Sequence, residues 1–280
     1  MSNVRKAKHG WVLSFIFSLI SIAYIMPIVI VLMNSFKRKI FISNRPFALP
    51  DAKSFVKIEN YINGIQKTDF FRAFGYTLFI TVGSVFVIVL CTSMCAWYIS
   101  RVKNKWTTGI YYLFAFSMIV PFQMVMFTLS KIADMLHLGN PVGIIIVYLG
   151  FGAGLAVFMF CGFVRSIPLE IEESAMIDGC NPVQTYFKIV FPIMKPTAIS
   201  VAILETMWVW NDYLLPYLVL KINKYKTIQI AIQYLKGGYG AIDMGAMMAM
   251  IVLAIIPIIL FYGFCQKYII EGVISGAVKG

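Results

Sequence analysis

Six stretches of this sequence, at 11–33, 73–98, 107–130, 141–163, 197–220 and 244–266, each run for about 23 residues or more without a Lys or Arg. A bilayer span takes roughly 20 predominantly apolar residues, so every one of them is long enough to cross. Inside lipid the backbone must satisfy its own hydrogen bonds, which leaves helices or a closed barrel. The runs are continuously apolar, without the alternation of a barrel strand, so helices are expected. Across 280 residues, 60% are hydrophobic and 13% charged, which leaves little material for a soluble core. The expected fold class is therefore all-α: a polytopic membrane protein with six transmembrane helices in one domain, residues 1–280.

A net charge of +12 would suggest nucleic acid in a soluble chain. Here the basic residues fall between apolar runs, and no basic stripe with interleaved stacking aromatics occurs, so no nucleic-acid partner is expected. Six spans put both termini and the connection after the fourth span on one side. Lys and Arg divide almost evenly between the sides, 11 against 13. Arg5, Lys6 and Lys8, with Arg101, Lys103 and Lys105 in a tight turn, favour a cytoplasmic N-terminus only slightly. The first run is longer than the ~7–15 residues of a signal-peptide core and reads as a span. The five cysteines lack metal-site spacing and read as small packing residues, so no metal is expected. Connections at 34–72 and 221–243 leave room for short helices or a lid, with a turn at Gly237-Gly238-Tyr239-Gly240. Pro121 and Pro257 each interrupt a span and predict kinks.

The connection 165–196 carries the most information. Ser166 is a plausible cap, Pro168 fits a first turn, and Glu170, Glu172 and Glu173 place negative charge where the helix dipole favours it. Gly179 can take the left-handed conformation that ends the helix, and Asn181-Pro182 opens a second one that stops near Pro192. Leu169, Ile171, Ala175, Met176 and Ile177 would then show apolar surface beside carboxylates. One reading is a plug for a partner's socket; the other is an amphipathic helix lying in the lipid interface, where a basic polar face would be usual.

Glu205 and Asp212 lie inside the fifth run, at about 2.5–3.5 kcal/mol each near a span centre. With Trp208 they are spaced i, i+3, i+7, which on a continuous helix gives one shared face, the carboxylates about 10 Å apart. That face either lines a translocation path or packs against a second subunit. Gln123, two residues after Pro121, is a further path candidate, or else an amide buried between helices.

Glu173-Ser174-Ala175, Gly179 and Ile189-Val190-Phe191-Pro192 resemble the EAA loop of membrane subunits of bacterial ATP-binding-cassette importers: Glu-Ala-Ala, three residues, Gly, nine residues, Ile-x-Leu-Pro. Ser174 and Phe191 are the departures. Val120-Pro-Phe-Gln123, Gly150-Phe-Gly152, Trp210-Asn-Asp-Tyr-Leu-Leu-Pro216 and the ending Glu271 to Gly280 are similar to the smaller, six-span permease of maltose-type carbohydrate importers.

The resemblance implies a type I permease fold in the bacterial cytoplasmic membrane with N- and C-termini inside, translocating a carbohydrate, an oligosaccharide being the expected cargo. It implies coupling to the ATPase through Glu172, Glu173, Ser174, Ala175, Asp178, Gly179, Ile189 and Pro192. The implied partners are a second permease, two ATP-binding-cassette subunits and an extracytoplasmic solute-binding protein. The implied path lies between the two permeases, with Gln123, Glu205, Trp208 and Asp212 as its candidates here. The C-terminal tail either reaches between the ATPases or frays. No Gly-x-x-x-x-Gly-Lys-Ser/Thr loop occurs, so ATP and Mg belong to the partner ATPase, and the chain is expected to bind no cofactor and to be no enzyme. The alternatives are an importer subunit for another small solute, an ion-coupled secondary transporter with a proton on Glu205 or Asp212, and a non-transporting scaffold.

Overall fold

A computed structural model describes residues 10–235 and 242–277. Arg5, Lys6, Lys8, the Gly237–Gly240 turn and the side chains of the tail from Glu271 lie outside what is described. In chain order the helices are α1 (Gly10–Asn34), α2 (Lys39–Asn44), α3 (Glu59–Thr68), α4 (Phe70–Arg101), α5 (Lys105–Ser117), α6 (Phe122–Met135) and α7 (Gly143–Val164). They continue with α8 (Leu169–Ile177), α9 (Pro182–Thr185), a π-helical turn (Tyr186–Val190), α10 (Phe191–Ile193), α11 (Lys195–Asn211), α12 (Leu214–Val219), α13 (Ile228–Gln233) and α14 (Met244–Ala277). An isolated antiparallel bridge joins Lys37 to Phe55.

Four helices are long and apolar enough to cross a membrane unaided: Gly10–Asn34, Phe70–Arg101, Gly143–Val164 and Met244–Tyr268. The third and fifth runs differ from the straight helices expected. At the third, α5 and α6 are bent by 108° at a break ending in Pro121, whose backbone is extended (ψ 135°) and whose carbonyl accepts from Met124 N–H at 3.0 Å. At the fifth, α11 stops at Asn211, and its 17 residues span only about 25 Å of a roughly 30 Å hydrocarbon core. Pro216 explains the stop: a helix continuing through it would lose the bond to the Asp212 carbonyl and press the ring against that group. Pro257, by contrast, sits inside α14 without ending it, and so does Pro27 in α1. One missing hydrogen bond costs less in lipid than two new helix ends with their unpaired groups.

The chain divides into two compact units, 1–70 with 232–257 and 71–231 with 258–280. In the first, α1 is apolar all round and exposed almost throughout, as a helix meeting lipid or another chain should be. The expected short helices of the 34–72 connection are α2 and α3, and buried polar groups fix them. Asn34 donates to the carbonyls of Ile30 (2.8 Å) and Pro46 (2.9 Å), and Asn60 to those of Ser35 (2.8 Å) and Lys37 (2.9 Å). Lys37 is buried with its ammonium on the Arg45 carbonyl at 3.1 Å; burial lowers its pKa against the opposing pull of Asp51. Lys67 pairs with Asp243 ahead of α14.

The core of the second unit is built on α7, whose buried face sets two small residues between two large ones: Tyr148, Gly152, Ala156, Phe160. The small ones let neighbours approach, as in membrane helix packing generally. A Cβ on Gly154 would stand 2.7 Å from Ser117 Oγ and 3.1 Å from the Phe114 carbonyl of α5. At the first residue of α7, Gly143 faces the backbone: a Cβ there would lie 2.5 Å from both the Leu138 Cα and its carbonyl oxygen. Gly143→Ala should therefore destabilise the protein by about 1–3 kcal/mol, the usual range for overpacking. The check is the apparent melting temperature in detergent, where an unchanged value would contradict the stated packing.

Candidate functional site

Two polar constellations stand out in the second unit. The first holds the 165–194 segment. The α8 helix starts after Pro168, which makes no side-chain cap; Ser166, the expected cap, instead donates to the Phe163 carbonyl at 2.7 Å. Its C-terminal end is as expected. Gly179 has φ +85°, with Gly179 N–H on the Met176 carbonyl and Cys180 N–H on the Ala175 carbonyl, each at 3.0 Å, which is the Schellman pairing. Asn181 and Gln184 then form a reciprocal capping box for α9. The second helix, α9 through the π-turn and α10, stops at Ile193, one residue past Pro192, as expected; after a break at Met194 the chain resumes as α11, bent by 75°.

Glu172 was expected on the partner-facing side, and the structure turns it inward, to 1% exposure. Its Oε1 accepts from Arg101 Nε at 2.9 Å and Nη2 at 2.7 Å, and its Oε2 from Trp97 Nε1 at 2.9 Å. Arg101 Nη2 also reaches the Ile167 carbonyl at 3.0 Å. A buried carboxylate is tolerated only with its lone pairs satisfied in this way. Further along, Tyr186 is buried with its hydroxyl 2.7 Å from Ser93 Oγ and its ring 5.5 Å from that of Trp97. One turn of α4 after another, Ser93, Trp97 and Arg101, thus grips both limbs of the loop.

What remains outward is the rest of the motif. Glu173, Ser174, Asp178, Gly179 and Pro192 are exposed, Ile189 is half-buried and Ala175 is buried. Leu169, Ile171, Met176, Val183 and Phe187 are exposed as well, and Ile177 is 86% exposed. Ser174 in place of the middle Ala of the pattern is harmless here, since its hydroxyl returns to the Glu170 carbonyl at 2.7 Å. Phe191 is half-buried against Tyr186, with ring centroids 5.8 Å apart.

The second constellation involves the expected path residues. Asp212 lies past the end of α11 in extended backbone, so it does not continue the Glu205–Trp208 helix face. Its Oδ1 accepts from Leu214 N–H at 3.0 Å and Leu215 N–H at 3.3 Å, opening α12, and its Oδ2 accepts from Tyr148 hydroxyl at 3.2 Å. Trp208, partly exposed, meets the same Tyr148 ring edge to face, centroids 5.4 Å apart. The contact joining Trp208 to Asp212 is Tyr148, which sequence reasoning missed. Glu205 is buried inside the chain, with its Oε2 unpaired and 2.9 Å from where a Gly152 Cβ would be. Gln123 is exposed on α6, without a hydrogen bond to the other three among the described residues.

Arg101, Trp97 and Tyr186 were equally unmarked in sequence: Arg101 counted only as a flanking charge, and nothing local pairs it with Glu172. Glu172→Ala would leave the Arg101 charge half-buried without its partner, a loss of about 3–5 kcal/mol. We expect faster hydrogen exchange across residues 169–177, with α7 unaffected. Unchanged exchange there would mean that the pair does not hold the loop.

Comparison with known proteins places this geometry. The profile for binding-protein-dependent transport system inner membrane components matches residues 88–275. The probable starch degradation products transport system permease AmyC of Thermoanaerobacterium thermosulfurigenes is 36% identical over 279 residues, covering 100% of each chain. The multiple sugar-binding transport system permease MsmG of Streptococcus mutans is 32% identical over 92% of this chain and 93% of its own. A crystal structure of a bacterial ABC transporter involved in import of the acidic polysaccharide alginate superposes with a TM-score of 0.79 at 21% identity, over 96% of this chain and 99% of the other. The chain belongs to the binding-protein-dependent transport system inner membrane component family.

Proposed function

We propose that this subunit is one of two permeases in an ATP-driven importer of an oligosaccharide, with N- and C-termini and the 165–194 loop in the cytoplasm. The observation that carries the reading is the division of that loop: its polar anchor is turned into the chain while its apolar residues, Ile177 above all, are left outside. An exposed apolar cluster on a firmly held protrusion is what a docking knob requires. The socket belongs to one of two ATPase subunits, which supply ATP and Mg; an extracytoplasmic binding protein delivers the sugar. The relatives, permeases for starch degradation products and for multiple sugars among them, support the carbohydrate class.

Closure of the ATPase pair would push the knob, and the α4 grip would pass that displacement to the bundle. The Trp208 face beside Tyr148 and Asp212 suits a sugar, an aromatic surface for its C–H side next to a polar group for its hydroxyls. No covalent chemistry falls to this chain.

Two variants test the coupling. Ile177→Asp places a charge in the docked apolar cluster, and Gly179→Val forces a β-branched residue to φ +85°, a conformation disfavoured by roughly 1–2 kcal/mol or more. Each should reduce co-purification of the ATPase at least tenfold while the permease still inserts, and uptake should fall with it. Normal ATPase stoichiometry in both would contradict the proposal, as would sugar uptake that collapses with the proton gradient while ATP is maintained.

A further inference from the structure

A cavity of 410 Å³ opens between the C-terminal ends of α4 and α7 and the start of α5, lined by Arg101, Lys103, Thr108, Tyr111, Tyr112 and Arg165 among others. We propose that it binds the phosphate group of an anionic phospholipid at the membrane surface on the knob's side.

The charge balance comes first. Three cations line the cavity and no carboxylate does; Arg101 is neutralised by Glu172, whereas Lys103 and Arg165 make no ion pair among the described residues. Two uncompensated cations beside one cavity match a phosphate, a compact anion with several acceptor oxygens. Arg165 is also held in place: its guanidinium carbon lies 4.9 Å from the Tyr111 ring centroid, within cation–π range.

The surroundings favour a lipid over a dissolved anion. Thr108, Tyr112 and Phe116 are spaced i, i+4, i+8 on α5, so a single stripe leads from the cavity down the helix. Tyr112 and Phe116 are exposed, as is Leu113 beside them, and Trp106 at the head of the helix is 83% exposed. Aromatic residues at a helix end followed by bare apolar surface mark the depth at which headgroups give way to acyl chains. Cations with aromatics at that level form the pocket type that receives lipid headgroups.

The test uses the intact detergent-purified transporter and native mass spectrometry, titrated with phosphatidylglycerol, with phosphatidylcholine and with inorganic phosphate. Phosphatidylglycerol should bind saturably and in preference to phosphatidylcholine, and Lys103→Gln or Arg165→Gln should each weaken it about fivefold, while Lys131→Gln, outside the cavity, should not. Equal retention of both lipids, or indifference to the two substitutions, would overturn the proposal. Phosphate binding with the same substitution pattern but no lipid preference would keep the anion site and overturn the lipid as its source. Loss of the ATPase from the Lys103→Gln and Arg165→Gln complexes, with lipid binding intact, would assign the cavity to a protein contact and equally overturn it.

Discussion

The ion pair between Arg101 and Glu172 is the contact on which the rest of the second unit's function depends. A helix of nine residues, Leu169–Ile177, is too short to persist alone in water, where isolated helices below about 12–15 residues are marginal. It persists because α4 ends in a guanidinium that reaches both the Glu172 carboxylate and the Ile167 carbonyl, with Trp97 taking the second oxygen. Glu172 is thereby taken out of the exposed acidic face. The same burial frees Ile177 and its neighbours from any internal role, which makes an outward apolar surface possible on an otherwise polar protrusion.

Within the apolar bundle a different economy applies, since lipid offers no hydrophobic reward for helix association and close packing must do the holding. Small residues on α7 provide that packing, and the few polar groups are used where the helices fail. Asp212 closes the gap that Pro216 opens, by accepting from the first N–H groups of α12 and from Tyr148. The residue that looked most like a pore carboxylate is thus also a joint in the backbone. Glu205 is an unpaired buried oxygen beside Gly152, where only a glycine leaves room for it.

Much of this was legible in the sequence for an identifiable reason. Long apolar runs free of Lys and Arg admit few structures in lipid, so the helical class followed from residue types alone. Gly179 could be placed in the left-handed region because a helix rich in carboxylates at its start has to end before Asn181-Pro182 opens the next. Periodicity misled at Asp212, because the i, i+3, i+7 spacing describes a face only while the helix lasts, and Pro216 four residues on ends it. The inward turn of Glu172 had no local signal at all. Its partners lie about seventy residues away in α4, and long-range pairing of that kind leaves no trace in spacing. Ser166 shows the converse error: a good capping residue was present, but Pro168 had already fixed the chain's entry into α8.

The central claim, that α4 and the 165–194 loop move as one body, can be measured directly by a spin-label distance. With Cys91, Cys95, Cys161 and Cys265 replaced, labels on the native Cys180 and on Tyr98→Cys, an exposed position in the last turn of α4, would report the separation in the assembled transporter with and without ATP. A single unchanged distance distribution in both states is the result expected of a rigid lever. A distribution that shifts or broadens when ATP binds would show that the loop slides on α4 and that the Arg101–Glu172 grip does not transmit the stroke.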